Sequence, residues 1–302
     1  MSFLRCVLGL ALAGSLAAQT LNYSYDAAGR LSSVTYPNGK VLSYTYDANG
    51  NLLRRLVGTP VAGALPVASA AGVVNAASFG GGPVAPGELV TIFGTGIGPA
   101  TLANLQLTSF TFLGTLIGET SVLFDGIPAP LVYASAGQTT AIVPYSVAGK
   151  TSTQMVVVYQ GRASAPVTLP VAAAAPALFS GDSSGKGNGA ILNQDNSPNS
   201  ASNPAAKGAI VILFGTGEGQ TNPGGIDGRV ASTVFPKPLG SVKVTIGGIQ
   251  ADVAYSGAAP FLVAGVFQIN VTVPLGVASG AAPVVVTVGS ASSQAGLTVA
   301  VK

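Results

Sequence analysis

Apolar and polar residues alternate with a period of two along much of this chain. Phe267, Ile269 and Val271 are separated by Gln268 and Asn270, and the valines of residues 284–288 continue the pattern. A period of two that is rich in β-branched side chains predicts half-buried strands. Glycine and proline interrupt such runs about every ~8–12 residues, a spacing typical of antiparallel sandwiches. The pattern therefore predicts an all-β fold.

A long, degenerate repeat covers most of the chain. Residues 89–98 match residues 210–219 at an offset of 121, and residues 122–133 match residues 244–255 at an offset of 122. Nearly constant offsets indicate two copies of one fold with loops of different length. We expect two immunoglobulin-like β-sandwiches in tandem, over residues 73–174 and 175–302, with a proline-containing linker at residues 56–72.

A shorter repeat of 21 residues precedes them. Each copy has alternate tyrosines, then Asp and Gly at the positions that a tight turn requires, and then a second apolar run. The pattern predicts β-hairpins over residues 20–55. It resembles the YD repeat of Rhs-type proteins, in which many tandem copies form a large shell. Two copies are too few for a shell, so we expect a locally paired β-extension. The two copies are Tyr23-Ser24-Tyr25-Asp26-Ala27-Ala28-Gly29-Arg30-Leu31 and Tyr44-Thr45-Tyr46-Asp47-Ala48-Asn49-Gly50-Asn51-Leu52.

The two long copies also carry resemblances. The first resembles the IPT/TIG immunoglobulin-like module, through its opening residues 86–94. Residues 73–302 together resemble the Solibacter-type C-terminal domain, a family without a known biochemical role. That resemblance implies an exported protein built from paired sandwiches. The segments that carry it are residues 74–79, 85–88, 187–193, 216–219 and 268–271.

The first 19 residues have the pattern of a signal peptide. Arg5 precedes an apolar run that ends in the small residues around Ala17 and Ala18. The run is short for a membrane helix, which needs about 20 apolar residues. We expect cleavage near Ala17 to Gln19 and a secreted or cell-surface protein without a membrane span in its mature chain. Because Cys6 lies in this segment, the mature chain would contain no cysteine.

The composition excludes most catalytic chemistry. The chain has no His, no Trp and a single Cys, and charged residues make up only 8%. Nucleophile–imidazole systems and His or Cys metal sites need residues that are missing. The glycine clusters at residues 94–98 and 215–219 lack the spacing of a dinucleotide-binding loop. The net charge of +3 is dispersed, which does not favour nucleic acid. We therefore expect no enzyme, no catalytic residues and no cofactor.

Carboxylates are scarce enough for each to be conspicuous. Glu218 stands where the first copy has Ile97, and Asp227 and Arg229 follow in a glycine-rich loop without a counterpart there. Loops on a rigid scaffold often carry binding residues, so residues 218–229 are a candidate binding rim. The alternative is that these carboxylates pair with Arg229 or cap loop amides. Asp182, Asn193 and Asp195 are weaker candidates for calcium, which prefers oxygen ligands.

The sequence thus favours a non-catalytic, exported or cell-surface structural and interaction module. The alternative is a glycan-binding or calcium-dependent binding domain that uses the loop at residues 218–229. A carboxylate-based glycosidase is the main hydrolytic mechanism that the composition permits, but no sugar cleft is evident. The partner that this hypothesis allows is a cell-surface glycan or protein, and the sequence names neither.

Overall fold

The computed structural model describes residues 21–26, 28–36, 40–47, 49–58, 64–108 and 111–302. The chain divides into two compact units, residues 1–61 and 62–302. The expected signal peptide, residues 1–19, lies outside the described residues. Within those residues, no helix is long and apolar enough to cross a membrane. The all-β prediction is confirmed, because nearly all regular structure is antiparallel sheet.

The first unit contains one four-stranded sheet, which we call the N-terminal sheet. Its strands are hydrogen-bonded in chain order, so that each hairpin follows the previous one. The sequence Pro37-Asn38-Gly39, which predicts a turn, lies outside the described residues. The strands are β1 (Asn22–Tyr25), β2 (Leu31–Thr35), β3 (Val41–Tyr46) and β4 (Leu52–Gly58).

The two faces of the N-terminal sheet differ in polarity. Tyr23, Val34, Leu42 and Val57 lie side by side across the four strands, whereas serines and threonines occupy much of the other face. Val34 and Leu42 on the inner strands are buried, and Tyr23 and Val57 on the outer strands are exposed. Alternation across the pleat therefore produces one apolar face, as the hairpin prediction implied.

The first sandwich consists of two five-stranded sheets. One has the order β5-β6-β11-β10-β7, and the other has the order β13-β12-β8-β9 with β14 paired to β12. A 3₁₀ helix, Tyr145–Val147, follows β11. The strands are β5 (Val67–Asn75), β6 (Leu89–Thr95), β7 (Ala103–Asn104), β8 (Thr120–Phe124), β9 (Ile127–Pro128), β10 (Leu131–Ala134), β11 (Gln138–Ile142), β12 (Ser152–Tyr159), β13 (Arg162–Ala163) and β14 (Val167–Pro170).

The second sandwich also has two main sheets. One has the order β15-β18-β24-β23 with β17 beside β18, and the other has the order β16-β27-β25-β21-β22 with β26 beside β25. A small sheet, β19-β20, lies apart from them. The strands are β15 (Ala177–Leu178), β16 (Gly187–Asn188), β17 (Ile191–Asn193), β18 (Ile210–Thr216), β19 (Thr221–Asn222), β20 (Lys237–Pro238), β21 (Val242–Ile246), β22 (Ile249–Ala251), β23 (Val253–Ala258), β24 (Phe267–Thr272), β25 (Gly280–Val288), β26 (Ala291–Ser292) and β27 (Leu297–Val301).

The two sandwiches repeat one strand plan. β6 pairs with β11 as β18 pairs with β24, and β8 pairs with β12 as β21 pairs with β25. The residues that match in sequence therefore occupy equivalent strands. Even the tight turns agree, since Asp125-Gly126 and Gly247-Gly248 both have positive φ at the two central positions of a two-residue hairpin.

Each sandwich has its own apolar core between its sheets. Ile92 and Leu131 meet Phe124 and Met155 in the first sandwich. In β24 every second side chain is buried, as the alternation in the sequence predicts. Burial of apolar surface stabilises each core by roughly 25 cal/mol per Å², and no disulfide contributes. The second core includes Leu213, Ile269, Val244, Val286 and Val299.

Candidate functional site

The two sandwiches meet at a contact surface that we call the junction. Leu89 and Ile142 of the first sandwich form an apolar cluster there with Phe179 and Val263 of the second. Backbone and side-chain hydrogen bonds surround this cluster, so the junction is a specific interface within one compact unit. Those bonds run from Asn75 Nδ2 to the Ala175 carbonyl (3.1 Å), from the Leu89 amide to Thr216 Oγ1 (2.8 Å), from the Leu113 amide to the Gly228 carbonyl (2.8 Å) and from the Val230 amide to the Thr111 carbonyl (2.7 Å).

Tyr145 is clamped between glycines at the junction. Its ring lies where a Cβ on Gly87 or Gly225 would be, and a Cβ on Gly265 would meet the Gly87 carbonyl oxygen. Glycine is therefore required at these positions by close packing of the two sandwiches. The Tyr145 amide also donates a hydrogen bond to Asp227 Oδ1 across the junction (2.8 Å).

Glu88 is a buried carboxylic acid at the start of β6, only 2% exposed. Its two oxygens accept separate hydrogen bonds, Oε1 from Asn75 Nδ2 (2.8 Å) and Oε2 from the Ala85 amide (2.7 Å). Because Asn75 also donates to Ala175, Glu88 is linked through one side chain to the segment that leads into the second sandwich. The carboxyl group thus organises the first sandwich's side of the junction.

Glu218 is buried just after β18, 3% exposed, and its Oε2 has no hydrogen-bond partner. It replaces an apolar residue, since the equivalent Ile97 of the first sandwich is fully buried in the core. Gly217 and Gly219 on either side pack against the carbonyl oxygens of Ala175 and Ala173, which leaves no room for side chains. The glycine-rich sequence therefore holds Glu218 under the connecting segment and away from solvent.

Burial controls the ionisation of both acids. It raises the pKa of Glu88 to about 8, although the Ala85 amide and Asn75 lower it, and the Glu218 charge raises it again. Burial likewise raises the pKa of Glu218 to about 8, opposed by its own backbone amide. Glu88 accepts two hydrogen bonds, which stabilise its ionised form, whereas Glu218 Oε2 accepts none. Glu218 is therefore the more readily protonated of the two acids. Two neighbouring carboxylates in a dry site would repel, so the junction favours the neutral acids.

A cleft of about 320 Å³ opens beside the junction. Its walls come from both sandwiches and are largely small or apolar side chains, with Asn75, Glu88 and Gln294 as the larger polar groups. Gln294 is itself committed, because its amide exchanges hydrogen bonds with the backbone of Leu178. The cleft therefore offers few uncommitted polar atoms to a ligand.

The structure places the residues of the expected binding rim in the junction. The Glu218 carboxyl is buried. Asp227 is half-buried and holds the Tyr145 amide, which matches the alternative that these carboxylates cap loop amides. Burial raises the pKa of Asp227, and this amide lowers it. Arg229 is half-exposed, and its backbone pairs with Phe112 of the first sandwich. A binding role for these three residues stays a prediction.

The calcium candidates are separate and engaged. Asp182 Oδ1 accepts from the Ser184 amide (3.0 Å), and Asp195 Oδ1 accepts from the amide and hydroxyl of Ser197 (3.0 and 2.5 Å). Asn193 is nearly buried, and its Oδ1 accepts from Asn199 (2.9 Å). Hydrogen bonds lower the pKa of both aspartates. In the described part of the chain, no three His, Cys, Asp or Glu side chains are grouped to hold a metal ion.

Glu88 is the site residue that the sequence argument missed. It lies within residues 86–94, the segment that resembles the opening of the IPT/TIG module. The available signal was its position directly before Leu-Val-Thr-Ile, a run whose members are all buried. A carboxylate beside a fully apolar run has to be paired, protonated or at the end of the strand. Its counterpart in the second copy is Ala209, so comparison of the copies also marks it.

Comparisons with known proteins bear on the first unit. Residues 25–59 match the RHS repeat. No curated protein matches the chain. Among solved structures, the full extracellular region of plexin A4 aligns with a TM-score of 0.26 and 13% identity, covering 85% of this chain and 21% of that one. The alignment thus spans about a fifth of that region's length.

Proposed function

We propose that this chain is an exported, non-catalytic module that serves as a structural and interaction scaffold at the cell surface or outside the cell. One observation carries the proposal: three of the ten acidic side chains lie buried or half-buried at the junction of the sandwiches. Glu88 is engaged at both oxygens, Glu218 is buried, and Asp227 holds an amide. In a scaffold, acidic groups at this place serve only the packing of the two sandwiches against each other.

The sequence supports the location. The RHS repeat at residues 25–59 and the resemblance of residues 73–302 to the Solibacter-type C-terminal domain both favour an exported protein. The expected signal peptide at residues 1–19 would direct export. Its cleavage would also remove Cys6, so the exported chain would form no disulfide and its cores would be held by apolar burial.

The location is tested with the full chain carrying a C-terminal epitope tag in a bacterial host. The control lacks residues 1–19 and is otherwise identical. We expect the tag of the full chain in the medium or, on intact cells, open to added protease, whereas the control stays inside. Full-length tagged protein confined to the cytoplasm would refute the proposal.

The non-catalytic part is tested by incubating the purified chain with a panel of oligosaccharides. We expect no hydrolysis. Hydrolysis that disappears in both Glu88→Gln and Glu218→Gln would contradict the scaffold proposal and indicate a carboxylate-based glycosidase. Folding of both variants is checked by circular dichroism, so that a loss of structure is not taken for a loss of activity.

A further inference from the structure

The two hairpins of the N-terminal sheet are copies of each other in register and in atomic contacts. The pairing of Asn22 with Thr35 recurs 21 residues later as Ser43 with Leu56, and both hairpins have their bulge at the same place. Their turns agree as well. Asp26 and Asp47 each accept two backbone amides through Oδ1 and pair through Oδ2 with the side chain four residues on.

The contact between the hairpins is also specific. β2 of the first hairpin pairs with β3 of the second, with Val34 opposite Leu42. Tyr46 donates its hydroxyl to the Leu31 carbonyl (2.9 Å). Arg30 lies over the Tyr46 ring, 4.9 Å from its centroid, and donates to the Asp47 carbonyl (2.9 Å). The second strand of one hairpin thus recognises the first strand of the next.

The outer strands repeat those two surfaces. β4 is the equivalent of β2, and β1 is the equivalent of β3. Among the residues that the structure describes, neither β1 nor β4 pairs with a second strand on its outer side. Tyr25, the equivalent of Tyr46, is 63% exposed, and Leu52, the equivalent of Leu31, is 52% exposed. Exposed apolar side chains beside unpaired strand edges form a template for strand addition.

We propose that β4 of one copy of this chain pairs with β1 of a second copy, in the register of β2 with β3, so that the N-terminal sheet continues from molecule to molecule. The 21-residue equivalence places Arg54 opposite Asn22 of the second copy. Tyr25 of the second copy then donates to the Leu52 carbonyl, as Tyr46 donates to Leu31 within the chain. Such a head-to-tail contact is not closed by a two-fold axis, so it can extend beyond a dimer.

Charge favours this arrangement over a symmetric one. Antiparallel pairing of two β4 strands about their centre would bring Arg55 of one copy against Arg55 of the other. Like charges placed directly opposite each other destabilise a sheet. Pairing β4 with β1 places neutral Asn22 and Leu21 opposite the two arginines. The proposal concerns the first unit only and does not depend on where the protein works.

Cysteine cross-linking tests the register in the full chain. We replace Cys6 by Ser and introduce Asn22→Cys with Arg54→Cys, two exposed positions on the same face. Within one molecule these positions lie three strands apart, about 14 Å, whereas a disulfide needs Cα atoms within about 7 Å. A disulfide between them therefore reports two molecules. The matched control, Asn22→Cys with Leu56→Cys, moves one cysteine by two residues on the same face.

We expect covalent dimers and longer ladders from the first pair on a non-reducing gel, and few from the control. Equal cross-linking of both pairs, or none from either at micromolar protein, would overturn the proposal. In sedimentation, Tyr25→Phe is expected to weaken association about fivefold, the usual effect of one neutral hydrogen bond. Association unchanged by Tyr25→Phe would contradict the proposed register.

Discussion

At the scale of single residues, Glu218 shows how context changes the meaning of a side chain. A glutamate in a glycine-rich loop is normally exposed, because burying a carboxylate costs several kcal/mol. Here the duplicated fold gives it the position of a buried isoleucine. The protein tolerates it as a neutral acid, and the cost of ionising it makes the junction sensitive to alkali.

We predict that stability falls as the pH rises through this junction's titration. The folded pKa values of Glu88 and Glu218 are about 8, against ordinary values of 4.5. Between these values the folded state holds protons that the unfolded chain has released, so the free energy of unfolding decreases with pH. The stability that these two acids contribute is greatest below about pH 4.5 and is lost towards pH 8 and above.

Glu218→Gln should remove one of these titrations. We expect the variant to exceed the wild type by about 3 kcal/mol in unfolding free energy near pH ~9, and to match it closely near pH ~5. Urea unfolding at both pH values measures this. Glu119→Gln is the control, because it makes the same chemical change at an exposed glutamate outside the junction. A pH profile for Glu218→Gln that parallels the wild type would contradict the assignment.

Gly225→Ala should destabilise the junction. An added Cβ would overlap the Tyr145 ring, and overpacking of this kind costs about 2 kcal/mol. The neighbouring Gly224 has open space at the same atom, so Gly224→Ala is expected to be nearly neutral. Thermal unfolding compares the two variants. Equal melting temperatures would show that the ring can move aside.

The burial of single side chains could be predicted from the sequence where it follows the local alternation of apolar and polar residues. The alternation around Ile269 and Val286 correctly indicates burial. The surroundings of Glu218 and Asp227 were not predictable from spacing, because they depend on contact with another sandwich. Comparison with Ile97 was the one local clue to burial, and typical carboxylate exposure outweighed it.

At the scale of elements, the polar loop at residues 193–203 illustrates how side chains replace a strand. Asn199 donates to the Ala300 carbonyl and accepts from the Ala300 amide, so it pairs with β27 as a neighbouring backbone would. It also donates to Asn193. The sequence makes Asn193 and Asp195 weaker candidates for calcium, and that stays a prediction. In the structure the buried asparagines tie the loop to the sheet.

Asn199→Ala should therefore cost about 3 kcal/mol in unfolding free energy, since it leaves the Ala300 amide and Asn193 Oδ1 without their partner in a buried site, although the Ala300 carbonyl keeps the Ala205 amide. Ser202→Ala, an exposed change in the same loop, should alter stability by less than about 0.5 kcal/mol. Urea denaturation of both variants is the measurement. If Asn199→Ala behaved like Ser202→Ala, water would have to satisfy the freed groups.

At the scale of the whole molecule, the strand plan was accessible from the repeat, but the junction was not. Offsets near 121 residues correctly equate β6 with β18 and β8 with β21. The 3₁₀ helix that carries Tyr145, and the contacts around it, have no periodic signal. Contacts between residues far apart in the chain depend on how two finished surfaces fit.

The junction predicts that the two sandwiches unfold together. Thr216→Val removes the acceptor of the Leu89 amide and should cost about 1–3 kcal/mol. Its repeat equivalent, Thr95→Val, is exposed and should have little effect. Hydrogen exchange should show the loss at slowly exchanging amides of both β8 and β21. Loss confined to one sandwich would mean that they open independently.

The glycine clamp around Tyr145 also gives the molecule an intrinsic optical reporter. The chain contains no tryptophan, so tyrosines dominate its near-ultraviolet absorption. Burial raises the pKa of the Tyr145 phenol well above its ordinary value, and Glu218 and Asp227 add to this shift. In an alkaline titration the Tyr145 phenol is expected to ionise only when the two sandwiches separate. The delayed change in its ultraviolet absorption would report the pH at which the sandwiches separate, without any added label.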